Sequence, residues 1–329
     1  MANQNISNKI LHWYDNNKRD LPWRKPKNKK QSEYFTLVSE VMLQQTQVST
    51  VVPYFNRFVH EIPNLKILSR VNNNKLLKLW EGLGYYTRAK NLKKTAQLLV
   101  SKFKSKIPND LNSLKKLPGI GDYTSKAILS LEFNKKVIPI DGNIERLLKR
   151  IFFLRTIEEI DKKNIIKKSH LLGYSNRQRD YVQSLMELGS LICKPKQPLC
   201  NLCPINSLCI SFKKKNFEII KKFKKSKTKY FEANIYYSKN KILLIKNEKY
   251  NFLKNHLIFP MDEINKYKFF SSSKIKTSIK ISNIDMKIII NKNNKIPNKK
   301  GKVISTNKFK NEIIPSFTKK LFRVASSHQ

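Results

Sequence analysis

Through its first two thirds the chain spaces apolar residues three and four positions apart, the interval that lays them along one face of a helix. One such region runs from Tyr34 to Phe58, with Phe35, Val38, Met42 and Val48 among its apolar positions and Pro53 marking a break. Further helices are predicted over 74–80, 88–103, 111–116, 123–133, 142–152 and 177–192, joined by short polar turns. Beyond residue 209 the pattern changes. Residues 213–229 form a lysine-rich run, read as a linker or a solvated face. After it, apolar residues gather in short runs at 233–237, 241–245 and 285–290, with Asn and Lys between them, as strands would. The expected architecture is mainly α: a helical domain over 1–212, a basic linker over 213–229 and a small β-rich domain over 230–329.

At 329 residues the chain is long enough for two separate cores. No apolar run reaches the length of a membrane-spanning helix, so no membrane association is expected. The opening MANQNISNKILHWYDNN lacks a basic stretch followed by an apolar one, so no export signal is read and a reduced, cytoplasmic setting is expected. The formal net charge of +44 points to a polyanionic partner. Most of that charge is lysine in a chain also rich in Asn and Ile, which is what A/T-rich codon usage produces, so charge alone marks no site. Residues 231–329 hold 21 basic and 6 acidic residues and the other 230 hold 46 and 17, so the excess is not one patch. Arginine is more informative. Ten of the eleven lie between Arg19 and Arg179, which marks the stretch where guanidinium geometry matters.

The only cysteines are Cys193, Cys200, Cys203 and Cys209, in the pattern C-x6-C-x2-C-x5-C. Four thiolates this close in sequence can surround one metal centre, and such a set commonly holds an iron–sulfur cluster. A structural zinc is the alternative, though its ligands tend to come as two short-spaced pairs, and here only the middle pair is short. Two disulfides fit less well in a chain of this length without an export signal.

Leu117-Pro-Gly-Ile-Gly121 lies between two predicted helices. Gly119 and Gly121 would make a tight turn whose exposed N–H groups suit a phosphate, because a helix N-terminus has unpaired donors and partial positive charge. A plain helix–helix turn has the same sequence. Twenty residues on, Asp141 stands in Pro139-Ile-Asp-Gly-Asn143 ahead of a helix, where by itself it reads as an N-cap.

LPGIGDYT, IDGN and the cysteine pattern, in that order, resemble the helix–hairpin–helix DNA glycosylase superfamily with an iron–sulfur cluster. Within it, Ser39-Glu-Val-Met-Leu-Gln-Gln-Thr-Gln47, Trp80-Glu-Gly-Leu-Gly-Tyr-Tyr-Thr-Arg-Ala-Lys-Asn91, Trp13-Tyr14-Asp15 and Leu21-Pro-Trp-Arg24 are similar to the adenine DNA glycosylases. The resemblance covers roughly residues 8–210. It implies a two-lobed helical domain and a [4Fe–4S] cluster on Cys193, Cys200, Cys203 and Cys209. It also implies a monomer acting on double-stranded DNA with adenine opposite 8-oxoguanine or guanine. Glu40 is implied as the general acid, a role that needs burial to raise its pKa, and Val38, Val41, Met42 and Leu43 around it suit that. Asp141 is implied as the charge that stabilises an oxocarbenium-like sugar, with Tyr123 and Asn143 holding the geometry. Bifunctional relatives resembling endonuclease III carry a lysine where this chain has Tyr123, and a phenol cannot form a Schiff base. Lys126 is about one turn further along and should point elsewhere. Gln44, Gln45, Leu83 and Tyr85 are implied as the wedge that enters the duplex, and Trp23, Arg24, Gln183 and Glu187 as the lining of the adenine pocket.

The resemblance weakens toward the end of the chain. Asn255-His-Leu-Ile-Phe-Pro260 is similar to a worn motif of the Nudix-type (MutT-like) domain that reads 8-oxoguanine in this family. Ile281-Ser-Asn-Ile-Asp-Met286 stands where many members have F-S-H-x-H, and only Ser282 matches well. No Nudix hydrolase motif is read, so no nucleotide hydrolysis is expected.

Overall fold

In the computed structural model, which describes residues 2–219, 227–281, 283–298, 301–309, 312 and 314–327, the chain forms two units by contact. One comprises Met1–Asn72 and Thr87–Lys222, the other Asn73–Tyr86 and Phe223–Gln329.

The first unit is helical. Its α1 (Ala2–Asn17) is followed by α2 (Lys29–Leu43), which starts where the Asn28 side chain accepts from the Gln31 N–H. Every residue of α2 from Tyr34 to Met42 is buried, so this helix is enclosed on all sides. The chain breaks at Gln44–Gln47, where Gln45 takes a left-handed φ of 59°, and resumes as α3 (Val48–Glu61). The expected break at Pro53 is therefore corrected: Pro53 lies inside α3. Its missing N–H costs one bond to the carbonyl of Ser49, an exposed residue near the helix start that water can satisfy. Then come α4 (Leu65–Arg70), which Asn64 caps, and, after the segment that joins the other unit, α6 (Thr87–Lys102) and α7 (Leu111–Lys115); α5 (Asn73–Trp80) lies in that other segment. The hairpin 117–121 leads into α8 (Asp122–Phe133), and Asp141 caps α9 (Gly142–Ile151). After α10 (Lys162–His170), α11 (Gln178–Glu187) widens into a π-helical turn at Leu188–Ile192. The cysteine loop follows and ends in the short α12 (Ile210–Lys213). One apolar core joins α1, α9, α10 and α11 through Ile10, Ile144, Leu148, Ile165, Tyr181 and Leu185, all 3 % exposed or less.

The second unit is built on a sheet. Its strands are β1 (Lys227–Ser238), β2 (Lys241–Lys246), β3 (Leu257–Ile258), β4 (Met261–Ile264), β5 (Ile275–Ile281), β6 (Ile284–Asn293) and β7 (Lys302–Ser305). The order is β3-β2-β1-β6-β5, with β4 on β1 and β7 on β2. The long pair β1–β6 is parallel, in register from Lys227 opposite Ile284 to Tyr236 opposite Asn293. Phe231, Ala233 and Ile235 on β1 alternate with less buried neighbours, as the two-residue period of a strand requires, and share one core with Met286, Ile288 and Ile290 on β6, where Ile289 between the last two is buried as well. The short α13 (Lys266–Ser271) precedes β5, and α14 (Ser316–Ser326) contributes Phe317, Leu321 and Ala325 to that core. Segment 73–86 belongs here: Glu81 pairs with Lys319 of α14 at 2.5 Å, and Tyr86 lies 4.8 Å, ring to ring, from His256.

Candidate active site

Glu40 is the centre of the arrangement. It sits in the last turns of α2, 6 % exposed, and its Oε2 is enclosed with no hydrogen-bond partner among the described residues. A carboxylate oxygen left without a donor favours its protonated form. Burial pushes Glu40 up to about 7, and the nearby Asp141 charge adds to the rise. The Tyr123 hydroxyl donates to Glu40 and, with the Arg24 charge, limits the shift. Burial also holds the Tyr123 phenol well above its ordinary range, so it stays neutral.

Asp141 comes from the N-cap of α9. Its Oδ1 accepts from the N–H groups of Asn143 (3.0 Å) and Ile144 (2.7 Å), and its Oδ2 from the Asn143 side-chain amide (2.9 Å). The N-cap reading and the functional one thus coincide in one carboxyl. Burial pushes Asp141 above its ordinary 3.8, opposed by those three bonds and the Arg146 charge. The Asn143 side-chain Oδ1 accepts from Arg146 (2.7 Å), which also donates to the backbone carbonyls of Gly189 (2.6 Å) and Cys193 (2.7 Å). A Cβ at Gly189 would come within 2.7 Å of the Asn143 Cβ, so the π-helical turn approaches this residue as only glycine allows.

The pocket residues fall on α11 and the first loop. Gln183 is buried and accepts from the Tyr14 hydroxyl at 3.3 Å. Glu187, fully buried, is paired with Arg19 and Arg24, each at 2.8 Å. Arg24 also interacts electrostatically with Glu40. Trp23 is buried edge-on against Phe55, ring centres 5.4 Å apart.

Gln44 reaches the hairpin: its side-chain amide donates to the Gly119 carbonyl (3.3 Å) and the Thr124 hydroxyl (3.2 Å). Gly119 has φ 79°, and a Cβ there would lie 2.9 Å from Asn91. Gly121 is the N-cap of α8. Lys126 is held by Asp122 at 3.0 Å. Glu40, Tyr123, Asp141, Asn143, Trp23, Arg24, Gln44, Gln45, Gly119, Gly121, Gln183 and Glu187 are thus in the helical unit. Leu83, buried, and Tyr85, 49 % exposed with φ 47°, belong to the other unit, in a loop that Gly82 (φ 105°) and Gly84 (φ 70°) turn. Ser282 lies outside the described residues.

Cys193, Cys200, Cys203 and Cys209 line one cavity walled by Leu147, Ile151 and Ile205. Among the described residues no three or more His, Cys, Asp or Glu converge to hold a single ion. Four cysteines lining one cavity suit a metal centre with thiolate ligands. Cys203 accepts a hydrogen bond from the Ile205 N–H, and Cys209 from those of Ser211 and Phe212. The buried Arg150 donates to the Cys193 sulfur at 3.3 Å. Such donors stabilise thiolate ligands. Burial pushes the Cys203 thiol up to about 12, so binding a metal there must displace protons.

Sequence reasoning gave no role to Tyr14, Arg146, Arg150 or Thr124. The clustering of arginine between residues 19 and 179 was the available signal for two of them. Tyr14 stood in a quoted motif, but nothing in its spacing indicated the bond to Gln183.

Residues 38–185 match the HhH-GPD superfamily of base excision DNA repair proteins. The adenine DNA glycosylase of Buchnera aphidicola subsp. Baizongia pistaciae is 41 % identical over 257 residues, covering 76 % of this chain and 72 % of that protein. Among solved structures, a thermostable thymine-DNA glycosylase superposes with a TM-score of 0.57 at 24 % identity, over 64 % of this chain and 97 % of that one. A trapped endonuclease III–DNA covalent intermediate gives 0.53 at 22 %, over 64 % and 96 %. These structural likenesses establish the helical fold.

Proposed function

We infer that this chain, which belongs to the adenine DNA glycosylase family, is a base excision repair enzyme that hydrolyses the N-glycosidic bond of adenine opposite 8-oxoguanine or guanine in double-stranded DNA. The observation that carries the reading is a buried carboxyl held near neutrality, Glu40, bonded to a phenol where a lyase would need an amine.

Adenine must first leave the stack, at a cost of a few kcal/mol. Gln44, Gln45, Leu83 and Tyr85 offset part of it by entering the duplex, and the N–H groups at Gly119 and Gly121 take a backbone phosphate. Trp23, Arg24, Gln183 and Glu187 receive the base. Glu40 gives its proton to a ring nitrogen of adenine, and the bond from C1′ breaks with its electron pair going to the base. The cationic sugar is stabilised by the Asp141 carboxylate, whose bonds from Asn143 and Ile144 fix it in place. Water adds to C1′ and returns a proton to Glu40. Tyr123 cannot form an imine, so the strand stays intact.

The four cysteines would hold a [4Fe–4S] cluster. When bound, it organises the loop from Cys193 to Cys209 and its basic residues Lys194 and Lys196 against DNA. The protein acts as a monomer in the cytoplasm, where thiols remain reduced. The domain over 230–329 is a worn Nudix-type domain, Ser282 being its remaining lesion-reading residue.

The experiment is excision from duplexes with one adenine opposite 8-oxoguanine, guanine, cytosine or thymine, with and without alkali. Release from the first two, with strand breaks only after alkali, is expected. Strand cleavage without alkali, or robust borohydride trapping, supports a bifunctional lyase instead. Binding without release supports a silent homologue.

A further inference from the structure

We propose that Arg88 is a positioning residue that locks the duplex-entering turn at Gln44–Thr46 to the helix carrying the acid Glu40. The proposal rests on the glycosylase reading above.

Arg88 is 8 % exposed, and its guanidinium bonds four groups in one short stretch of chain. Its Nη1 donates to the carbonyls of Val41 (3.1 Å), Met42 (2.8 Å) and Gln44 (2.5 Å), and its Nη2 to the Thr46 hydroxyl (3.2 Å). The last carbonyls of a helix have no intrahelical donor. One side chain therefore satisfies the end of α2 and continues past it into the turn. That turn needs holding: Gln45 sits at φ 59°, in the region a side chain disfavours. Gln44 is gripped at both ends, its carbonyl by Arg88 and its amide by Gly119 and Thr124.

Glu40 is four residues before Gln44, about one turn. With the turn fixed to the helix end, displacement of Gln44 by DNA is transmitted to the carboxyl that must meet the extruded base. Lysine would keep the charge, but its single nitrogen cannot span the helix end and Thr46 as the planar fork does. A mere helix cap would account for the bonds to Val41, Met42 and the cap residue Gln44. The bond to Thr46, two residues beyond the cap, is what a cap does not explain.

The test is Arg88→Lys in the full chain, with single-turnover excision opposite 8-oxoguanine and the fluorescence of 2-aminopurine at the target position as a reading of extrusion. We expect thermal unfolding near that of wild type, extrusion amplitude clearly reduced, and excision slowed roughly tenfold or more. Thr46→Val, which removes only the acceptor beyond the helix, should shift both readings the same way and less. Unchanged excision in both variants overturns the proposal, as does slowed excision with full extrusion. So does a loss of melting temperature in Arg88→Lys with Thr46→Val indistinguishable from wild type. Wild type that releases no adenine at all fails the glycosylase reading itself, before the variants are compared.

Discussion

The two units use positive charge in opposite ways. In the helical unit single arginines do directional work inside the protein. Arg88 and Arg150 are 8 % and 2 % exposed, and between them they bond seven backbone carbonyls and the Cys193 sulfur. Arg19 and Arg24 neutralise the buried Glu187. In the sheet unit the cations are, apart from Arg323, lysines, many in open pairs such as Lys302–Glu312, with side chains 52 % and 29 % exposed. A guanidinium presents five donors in a fixed plane, whereas an ammonium is a hydrated point charge on a flexible stem. The same formal charge thus builds a site in one unit and a field in the other.

The largest effect is expected at the acid. Glu40→Gln should abolish adenine release while mismatch binding persists, because the amide keeps the volume and loses the proton. With Glu40 near 7, wild-type excision should also fall as pH rises through about that value. The same group sets a stability trend. Its folded pKa is raised from 4.5, so its stabilising contribution is full below pH 4.5 and lost as pH rises through about 7. Denaturant unfolding should show Glu40→Gln gaining on wild type between pH 5 and 8, on the order of 2–3 kcal/mol.

Arg150→Gln should cost about 3–5 kcal/mol of stability, since it strands several buried acceptors at once. Denaturant titration of the cluster-loaded protein checks this, and a loss under 1 kcal/mol sinks the claim that arginine here is structural. Asp141→Asn should slow single-turnover excision by ~3 kcal/mol in activation free energy. In the sheet unit the sum should matter and the single residue should not. Truncation after residue 230 removes a net +15, so duplex binding should weaken and its salt dependence flatten. Preference for 8-oxoguanine over guanine should then change only modestly, given the altered segment around Ser282. The smallest effect is expected from Lys302→Gln, within ~0.5 kcal/mol of wild type in unfolding.

How legible the sequence was differs along the same line. Helices with a full apolar stripe, such as α6 and α8, were readable to within a residue or two. Helices α1, α4 and α10 were not predicted. Lys162–His170 shows only two isoleucines among polar residues, and its start is set by the Asp161 cap. Pro53 misled because a proline near a helix start loses only one bond, to a carbonyl that water can reach. At the site, Glu40 and Asp141 were named from motif likeness. The spacing alone left Asp141 as a cap, which it also is. Arg146 joins Asn143 to Gly189 and Cys193 across more than forty residues, and no local pattern encodes such a bridge. Nor does any local pattern place residues 73–86 with a unit that begins at Phe223.

That discontinuity has a consequence for synthesis. The ribosome delivers Asn73–Tyr86 long before the residues it joins. At roughly 5–20 residues per second, the wait for the sheet is on the order of ten seconds, and longer for Lys319. Glu81 and Tyr86 spend that interval without Lys319 and His256, which they meet in the finished protein. A premature stop before Lys319 would leave Glu81 without that partner, far upstream of the lesion in the message.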